Sequence, residues 1–358
     1  MKMLLFVFFS SIFMAVADEK AVPQLMVKYW VKEYRVFDLV ISKDESRFYF
    51  ATDGGIHFYQ DGKLRRVYSK SDGLLSETVT FLESTGDSIL GSTFSLDGKS
   101  GLIRLSSSEE LKVWQEKDGA PRNVVRALQL SQDLLLCETF KDGLYLFNLD
   151  RNSTMPILQE KFGGKYLVDV ILQQNKIYLA SKYDGAFEIS GGGELVSSLI
   201  NATTTEVFTQ TLHIKEINEH TSKIQSNNVT CFASVENALW IGTQGGASYF
   251  KFSENDWKNY WDSLVNNFVS AICVDGDFIW FGTPGGFSVF NKAKDKWWAF
   301  RTDSGMSSIR ALRGSDAKND SAQYNNCIMK IKSSKNYIWL STEQGAVQID
   351  RKQFYSLL

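Results

Sequence analysis

The sequence predicts an all-β fold, a seven-bladed β-propeller closed by an N-terminal strand in the last blade. Three observations predict it. First, the chain nearly repeats itself between Asn228 and Phe290. NVTCFASVENALWIGTQGGASYFKF is followed by FVSAICVDGDFIWFGTPGGFSVF, so that Trp240 matches Trp280, Gly245-Gly246 matches Gly285-Gly286, Phe250 matches Phe290 and Trp257 matches Trp297, always 40 residues apart. A fixed period of that size marks a repeat architecture. Second, the same unit recurs around the anchor positions Tyr49, Ile89, Leu135, Tyr178, Trp240, Trp280 and Trp339. Third, 25 Phe, 14 Tyr and 9 Trp are far more rings than a shallow core needs, and rings at repeating positions fill the wedges between radially stacked sheets.

In chain order, residues 1–17 have the form of an export signal. Lys2 precedes an apolar run from Leu4 to Ala15, and Ala15-Val16-Ala17 offers a small-x-small cleavage site before Asp18. The run is shorter than the ~20 residues needed to cross a bilayer. The mature chain, Asp18 to Leu358, is therefore expected to be a single propeller domain, exported to the periplasm or the extracellular space, with no stable membrane span once the signal is cleaved. Leu25 to Val31 follows, with Tyr29-Trp30 imitating Trp297-Trp298. The last repeat has little room for a fourth strand after Gly345, so this N-terminal segment is expected to supply it and remove an open edge.

Each repeat has one grammar. A short apolar run (Val229 to Ala233) is followed by a polar turn, a run carrying the anchor ring (Ala238 to Gly242), a Gly-Gly turn and two further alternating runs, Ala247 to Phe252 and Trp257 to Trp261. Runs of β-branched and aromatic residues bounded by Gly, Asp and Asn read as strands, and four such strands in 40 residues make a propeller blade. Two insertions, residues 198–226 and 304–324, are assigned to connections between a fourth strand and the next first strand. Strands alternate in direction within a blade, so those connections share a face with the turns between second and third strands. That face collects the longer turns Ser92 to Ser100, Thr139 to Asp142 and Lys182 to Asp184. Elaborated loops on one side of a rigid scaffold are where binding usually resides.

YSKSDGLLSETV (Tyr68 to Val79), WQEKDGAPRNVV (Trp114 to Val125), the Asn pairs opening repeats at Asn227, Asn266 and Asn325, and above all ALWIGTQGGASYF and FIWFGTPGGFSVF resemble the two-component-regulator propeller family. The likeness is strong in blades 5 and 6 and loose in blades 2 to 4. It implies a periplasmic sensing ring, of a kind that in some members reads an oligosaccharide-type signal. This chain has one ring and no kinase or DNA-binding region, so the resemblance implies a binding ring without its own signalling output. Its motifs are structural glycines and wedge aromatics, and they assign no chemistry.

Charge and chemistry narrow the choice further. A net charge of −2 without a long basic run argues against a nucleic-acid partner. Cys137, Cys231, Cys273 and Cys327 are far apart and form no CxxC pair, so buried free thiols are favoured over a disulfide framework. Asn152, Asn201, Asn228 and Asn319 each open an Asn-x-Ser/Thr sequon. His213 and His220, with Glu216 and Glu219 between them, are the one candidate for metal ligation, set against a solvated loop; no metal or other cofactor is expected. His57 reads as structural. Streptogramin-inactivating lyases, also seven-bladed, use a His base beside a bound metal, and no His outside the inserted pair matches that arrangement. No Ser-His-Asp order, HExxH or phosphate-cradling loop is present. The candidate ligand-binding residues on the loop-rich face are Lys99, Arg122, Lys141, Tyr183, Arg310 and Arg313, long donors and a ring suited to a polar ligand. The function expected is therefore non-catalytic binding or sensing of a polar ligand or protein partner. A protein–protein assembly scaffold is the alternative, and a lyase- or hydrolase-type propeller enzyme comes third.

Overall fold

The computed structural model describes residues 24–95, 97–191, 195–200, 212–302, 308–312 and 327–358; residues 1–17, where an export signal is expected, lie outside them. Seven antiparallel sheets form a ring. Blade 1 runs from Val36 to Tyr68, blade 2 from Val79 to Trp114, blade 3 from Val124 to Ile157 and blade 4 from Leu167 to Ile217. Blade 5 runs from Val229 to Tyr260, blade 6 begins at Ala271, and blade 7 begins at Ile328. The first strand of every blade contacts the first strands of its neighbours, so these strands encircle the axis. In six of the blades that strand carries a bulge just after its first residue, as between Val36 and Asp38 or between Val124 and Arg126. A bulge re-aims the following side chain.

Seven apolar clusters hold the ring together, one at each junction between blades. Tyr49 packs with Ile103 and Leu105 of blade 2, Trp240 with Ile279 and Phe281 of blade 6, and Trp339 with Phe48 and Phe50 of blade 1. Strand register moves two of the seven anchors by one residue. Tyr49 lies opposite Val40, four residues into its first strand, and the residues so placed in blades 2 and 3 are Leu90, opposite Glu83, and Leu136, opposite Leu128. Ile89 and Leu135 are buried too, but on the other side of their sheets, because successive strand residues face opposite ways. The Thr three residues after the anchor, Ser181 in blade 4, is fully buried and in several blades ties the next turn. Thr52, Thr243 and Thr342 donate to the carbonyls of Gly55, Gly246 and Gly345 at 2.8, 2.8 and 2.9 Å. Gly246 has φ 139°, a conformation open to glycine and costly for any residue with a Cβ.

The ring closes as the sequence predicts, and with an addition. Lys28–Trp30 pairs with the third strand of blade 7, Trp30 opposite Ala346. Just before it, Gln24–Met26 pairs with Ser308–Ala311, which is itself a fifth strand of blade 6. The N-terminal segment thus spans two blades, and among the described residues blade 6 has six strands. Trp30 lies 5.3 Å from the Phe48 ring and 5.8 Å from the Trp339 ring, and its indole N–H donates to Gln348. From the other terminus, the short helix Arg351–Tyr355 seats Phe354 against Trp280, Phe287 and Phe300.

The first insertion departs from its expected place, and the second, which does follow the fourth strand of blade 6, contains a strand. The third strand of blade 4, Gly185–Gly191, leads into a short helix, Leu195–Ile200, and the fourth strand is Leu212–Ile217. Of the predicted insertion, Leu212–Ile217 is therefore itself the fourth strand, the end of the helix precedes it, and only residues 218–226 lie in the expected connection to blade 5. LHIKEI alternates half-buried and exposed positions before the buried Ile217, as an outer strand can, and it pairs with the third strand along its whole length. Part of the second insertion is not loop but the strand Ser308–Ala311. Replacing Trp30 by Ala should lower the unfolding free energy by about 3–5 kcal/mol, the usual cost of emptying a buried aromatic site. Chemical denaturation followed by fluorescence measures it, and a change near zero would mean that the N-terminal strand does not close the ring.

Candidate functional site

Backbone hydrogen bonds set the rim of the axis on the loop-rich face. The amides of Phe94, Phe140 and Lys182, each at the turn after a second strand, donate at 2.9 Å to the carbonyls of Thr78, Asn123 and Tyr166, each just before a first strand. Across blades 2 to 4 this aligns four rings edge to face. Phe94 meets Phe140 at 5.6 Å, Phe140 meets Tyr166 at 5.2 Å, and Tyr166 meets Tyr183 at 5.4 Å. The Lys141 ammonium lies 4.6 Å from the Tyr166 ring centre, a cation–π distance. Lys141 and Tyr183 are thus brought together around Tyr166, and Tyr183 remains 58% exposed.

The other predicted residues do not join them. Lys99 pairs with Asp97 at 3.7 Å and Arg122 with Glu116 at 3.6 Å, exposed contacts within their own loops. Arg310 is a correction: it is an exposed residue of the fifth strand of blade 6, paired with Gln24 and Arg301, and not a loop residue. Arg313 lies outside the described residues. His213 is exposed on the fourth strand of blade 4 opposite Ser190, and His220 is exposed in the following turn. Glu216 pairs with Lys161, and Glu219 accepts from the Asn227 amide, so each acidic neighbour is already engaged. Among the described residues no group of three or more His, Cys, Asp or Glu side chains could hold a metal ion. His57 is buried against Tyr34, where burial lowers its pKa, and the cysteines are free thiols.

A second polar site, unforeseen in the sequence, lies on the axis itself. A cavity of about 200 Å³ at the loop-rich end is lined by all seven first strands, including Phe37, Thr80, Arg126, Asp169, Thr230, Ser270 and Lys330. Below it an ionic cluster crosses the channel. Arg126 of blade 3 reaches Asp38 of blade 1 at 2.9 Å and approaches Asp169 of blade 4 at 3.5 Å, while Lys332 of blade 7 reaches Asp38 at 3.0 Å. Lys332 also lines a cavity of about 360 Å³ at the opposite end, so Asp38 and its two cations divide the channel. Burial alone would raise the Asp38 carboxyl, but Lys332, Arg126 and Lys330 pull it well below its usual range. The cluster braces blades 1, 3, 4 and 7 across the axis, and removing one partner from such a buried group leaves a charge uncompensated.

Glu138 behaves in the opposite way. It lies on the second strand of blade 3 opposite Arg126, fully buried, and among the described residues neither carboxyl oxygen meets a hydrogen-bond partner of ordinary geometry, the Asp169 backbone being only a weak one. Burial first, and then the neighbouring Asp169, push its pKa well above the ordinary value, against the pull of Arg126. A signal for these residues was present. Asp38, Arg126, Asp169 and Lys330 each follow two residues after the apolar opening of an inner strand, and Glu138 replaces the small residue that precedes Thr in WIGT.

No protein-family model matches the chain, and no curated protein matches it by sequence. Solved structures do match its fold. The extracellular domain of BT4673 from B. thetaiotaomicron, described as a one component system, superposes with a TM-score of 0.65 at 16% identity, over 90% of this chain and 40% of that one. A second structure of that domain, described as part of a hybrid two component system, gives 0.65 at 15% identity over 91% and 39%. The computationally designed Ika8 protein gives 0.57 at 11% identity over 91% of this chain and 99% of its own. The chain thus spans about two fifths of the BT4673 domain's length, and what it shares with all three is the propeller.

The sign of the Glu138 effect is fixed by its raised pKa. An unfolded Glu ionises near pH 4.3, so stability that is intact below that value is lost as pH rises toward the folded-state pKa. Glu138→Gln removes the ionisation and should raise stability by about 1–3 kcal/mol at pH 8, and by much less at pH 4. Thermal melts at the two pH values measure it; a difference independent of pH would contradict the assignment.

Proposed function

We propose that this protein is an exported, non-catalytic binding module of the sensing type, which captures a polar ligand at the loop-rich mouth of its axis. The observation that carries this reading is the axial cavity of about 200 Å³, to which every blade contributes a side chain, with cations, a carboxylate and hydroxyls converging on one small volume. A concave site with a few convergent polar groups is the usual form of a small-ligand pocket. The ring around it is rigid, held by apolar clusters at every junction, so bound and free forms would differ little in backbone. The half-buried ring row with Lys141 and Tyr183 at the same face gives a larger ligand an aromatic rim to lean on. The likeness in fold to an extracellular domain of a regulatory protein is consistent with sensing and with an exported location.

An assembly scaffold has less support. Among the described residues the exposed large apolar side chains, Tyr34, Leu64, Leu172, Tyr183, Ile200, Trp261 and Leu357, are scattered over blades 1, 4 and 5 and the C-terminus, which is not the contiguous patch a stable partner needs. Two-dimensional NMR of the labelled protein against a panel of polar small molecules tests the reading. A ligand should shift the amides of Val168, Asp169, Thr230 and Ser270. Shifts confined to the outer strands or to the opposite face would contradict it.

A further inference from the structure

The charges and hydroxyls of the axial cavity narrow the ligand class, and this inference rests on the axial cavity being the binding site. Arg126, Asp169 and Lys330 line the cavity, and beneath it Asp38 pairs with Arg126 and Lys332. Arg126 and Lys332 are engaged with those carboxylates. Lys330 also lines the cavity, yet among the described residues its ammonium makes no ion pair and no hydrogen bond; it acts on Asp38 only at a distance. A cation partly shielded from water and left without a partner is a place for an anion.

The hydroxyls add the second half of the description. Thr230 donates to the Val269 carbonyl and Ser270 to the Ile328 carbonyl, both at 2.5 Å. Ser92 donates to the Val124 carbonyl, so in the 3.1 Å contact between Thr80 and Ser92 the donor is Thr80. With these hydrogens committed to neighbouring blades, Thr80, Thr230 and Ser270 have lone pairs left for the cavity, and a hydroxyl has two. Asp169 adds a carboxylate whose second oxygen is held by the Phe232 amide at 2.8 Å. The cavity therefore has one uncommitted cation and several uncommitted acceptors.

We propose that the axial cavity binds a small carboxylate that carries its own hydrogen-bond donors, a hydroxy acid or an amino acid, with the carboxylate on Lys330 and the donors on Thr80, Thr230, Ser270 and Asp169. A simple anion would leave the acceptors unanswered, and an uncharged polyol would leave Lys330 unanswered. Each omission costs affinity because an unpaired buried polar group is expensive.

Glycerate, propionate and glycerol separate these terms on the unmodified chain, because they share a three-carbon frame and differ in charge and hydroxyls. With NMR shifts of the Thr230, Ser270 and Lys330 amides as the readout, glycerate should bind at least about tenfold more tightly than propionate or glycerol, the scale of one charge-assisted hydrogen bond. Lys330→Met should remove that advantage and Lys330→Arg should keep most of it. Glycerol binding as tightly as glycerate would overturn the carboxylate assignment and leave the polar-ligand reading standing. Propionate matching glycerate would overturn the part assigned to the hydroxyls. No movement of the cavity amides with any of the three would overturn both this inference and the reading on which it rests.

Discussion

Closure of the ring is the constraint on which the rest of the structure depends. A stack of twisted sheets has two raw ends, each an apolar face and an unpaired edge, and neither survives in water. Here both ends meet between blades 7 and 1, where Trp30 and Trp339 pack with Phe48 and Phe50. Trp30 arrives there on a segment that has just paired with blade 6, so one short stretch of chain fastens two blades and seals the junction. The C-terminal helix adds Phe354 to the junction between blades 6 and 7. Both termini are therefore spent on the same sector of the ring.

Closure is also what creates the axial site. First strands forced around a common axis turn the residues that follow their bulges toward one another, and in blades 1, 3, 4 and 7 those residues are Asp38, Arg126, Asp169 and Lys330. No two of them are close in sequence. Charges so placed must pair, and Asp38 does so with Arg126 and Lys332 at the cost of their hydration. The pairing divides the channel and leaves Lys330, with the ring of hydroxyls, at the loop-rich end. A feature that braces the ring thereby forms the floor of the cavity.

The blade count, the strand grammar and the closing strand were legible because they are local patterns repeated at a fixed spacing. Trp240, Trp280 and Trp339 announce themselves. The anchors of blades 2 and 3 were less legible: Ile89 and Leu90, or Leu135 and Leu136, are adjacent apolar residues that satisfy the same pattern, and strand register alone separates them. The insertion in blade 4 was misplaced because a helix and a stretch outside the described residues lie between its third and fourth strands. Of the candidate site, the sequence placed Lys141 and Tyr183 on the loop-rich face. It did not give up Tyr166, which joins them, because ring-to-ring contacts between blades follow from closure. The ionic cluster was hidden for the same reason, although single charges within apolar inner strands marked its members.

Hydrogen exchange tests the central claim most directly. If the N-terminal strand closes the ring, the Lys28–Trp30 amides that bond to the third strand of blade 7 open only with the sheet itself, and should be protected as strongly as amides in the central strands of blade 5. Exchange of Lys28–Trp30 at the rate of a free chain end, with blade 5 still protected, would contradict it.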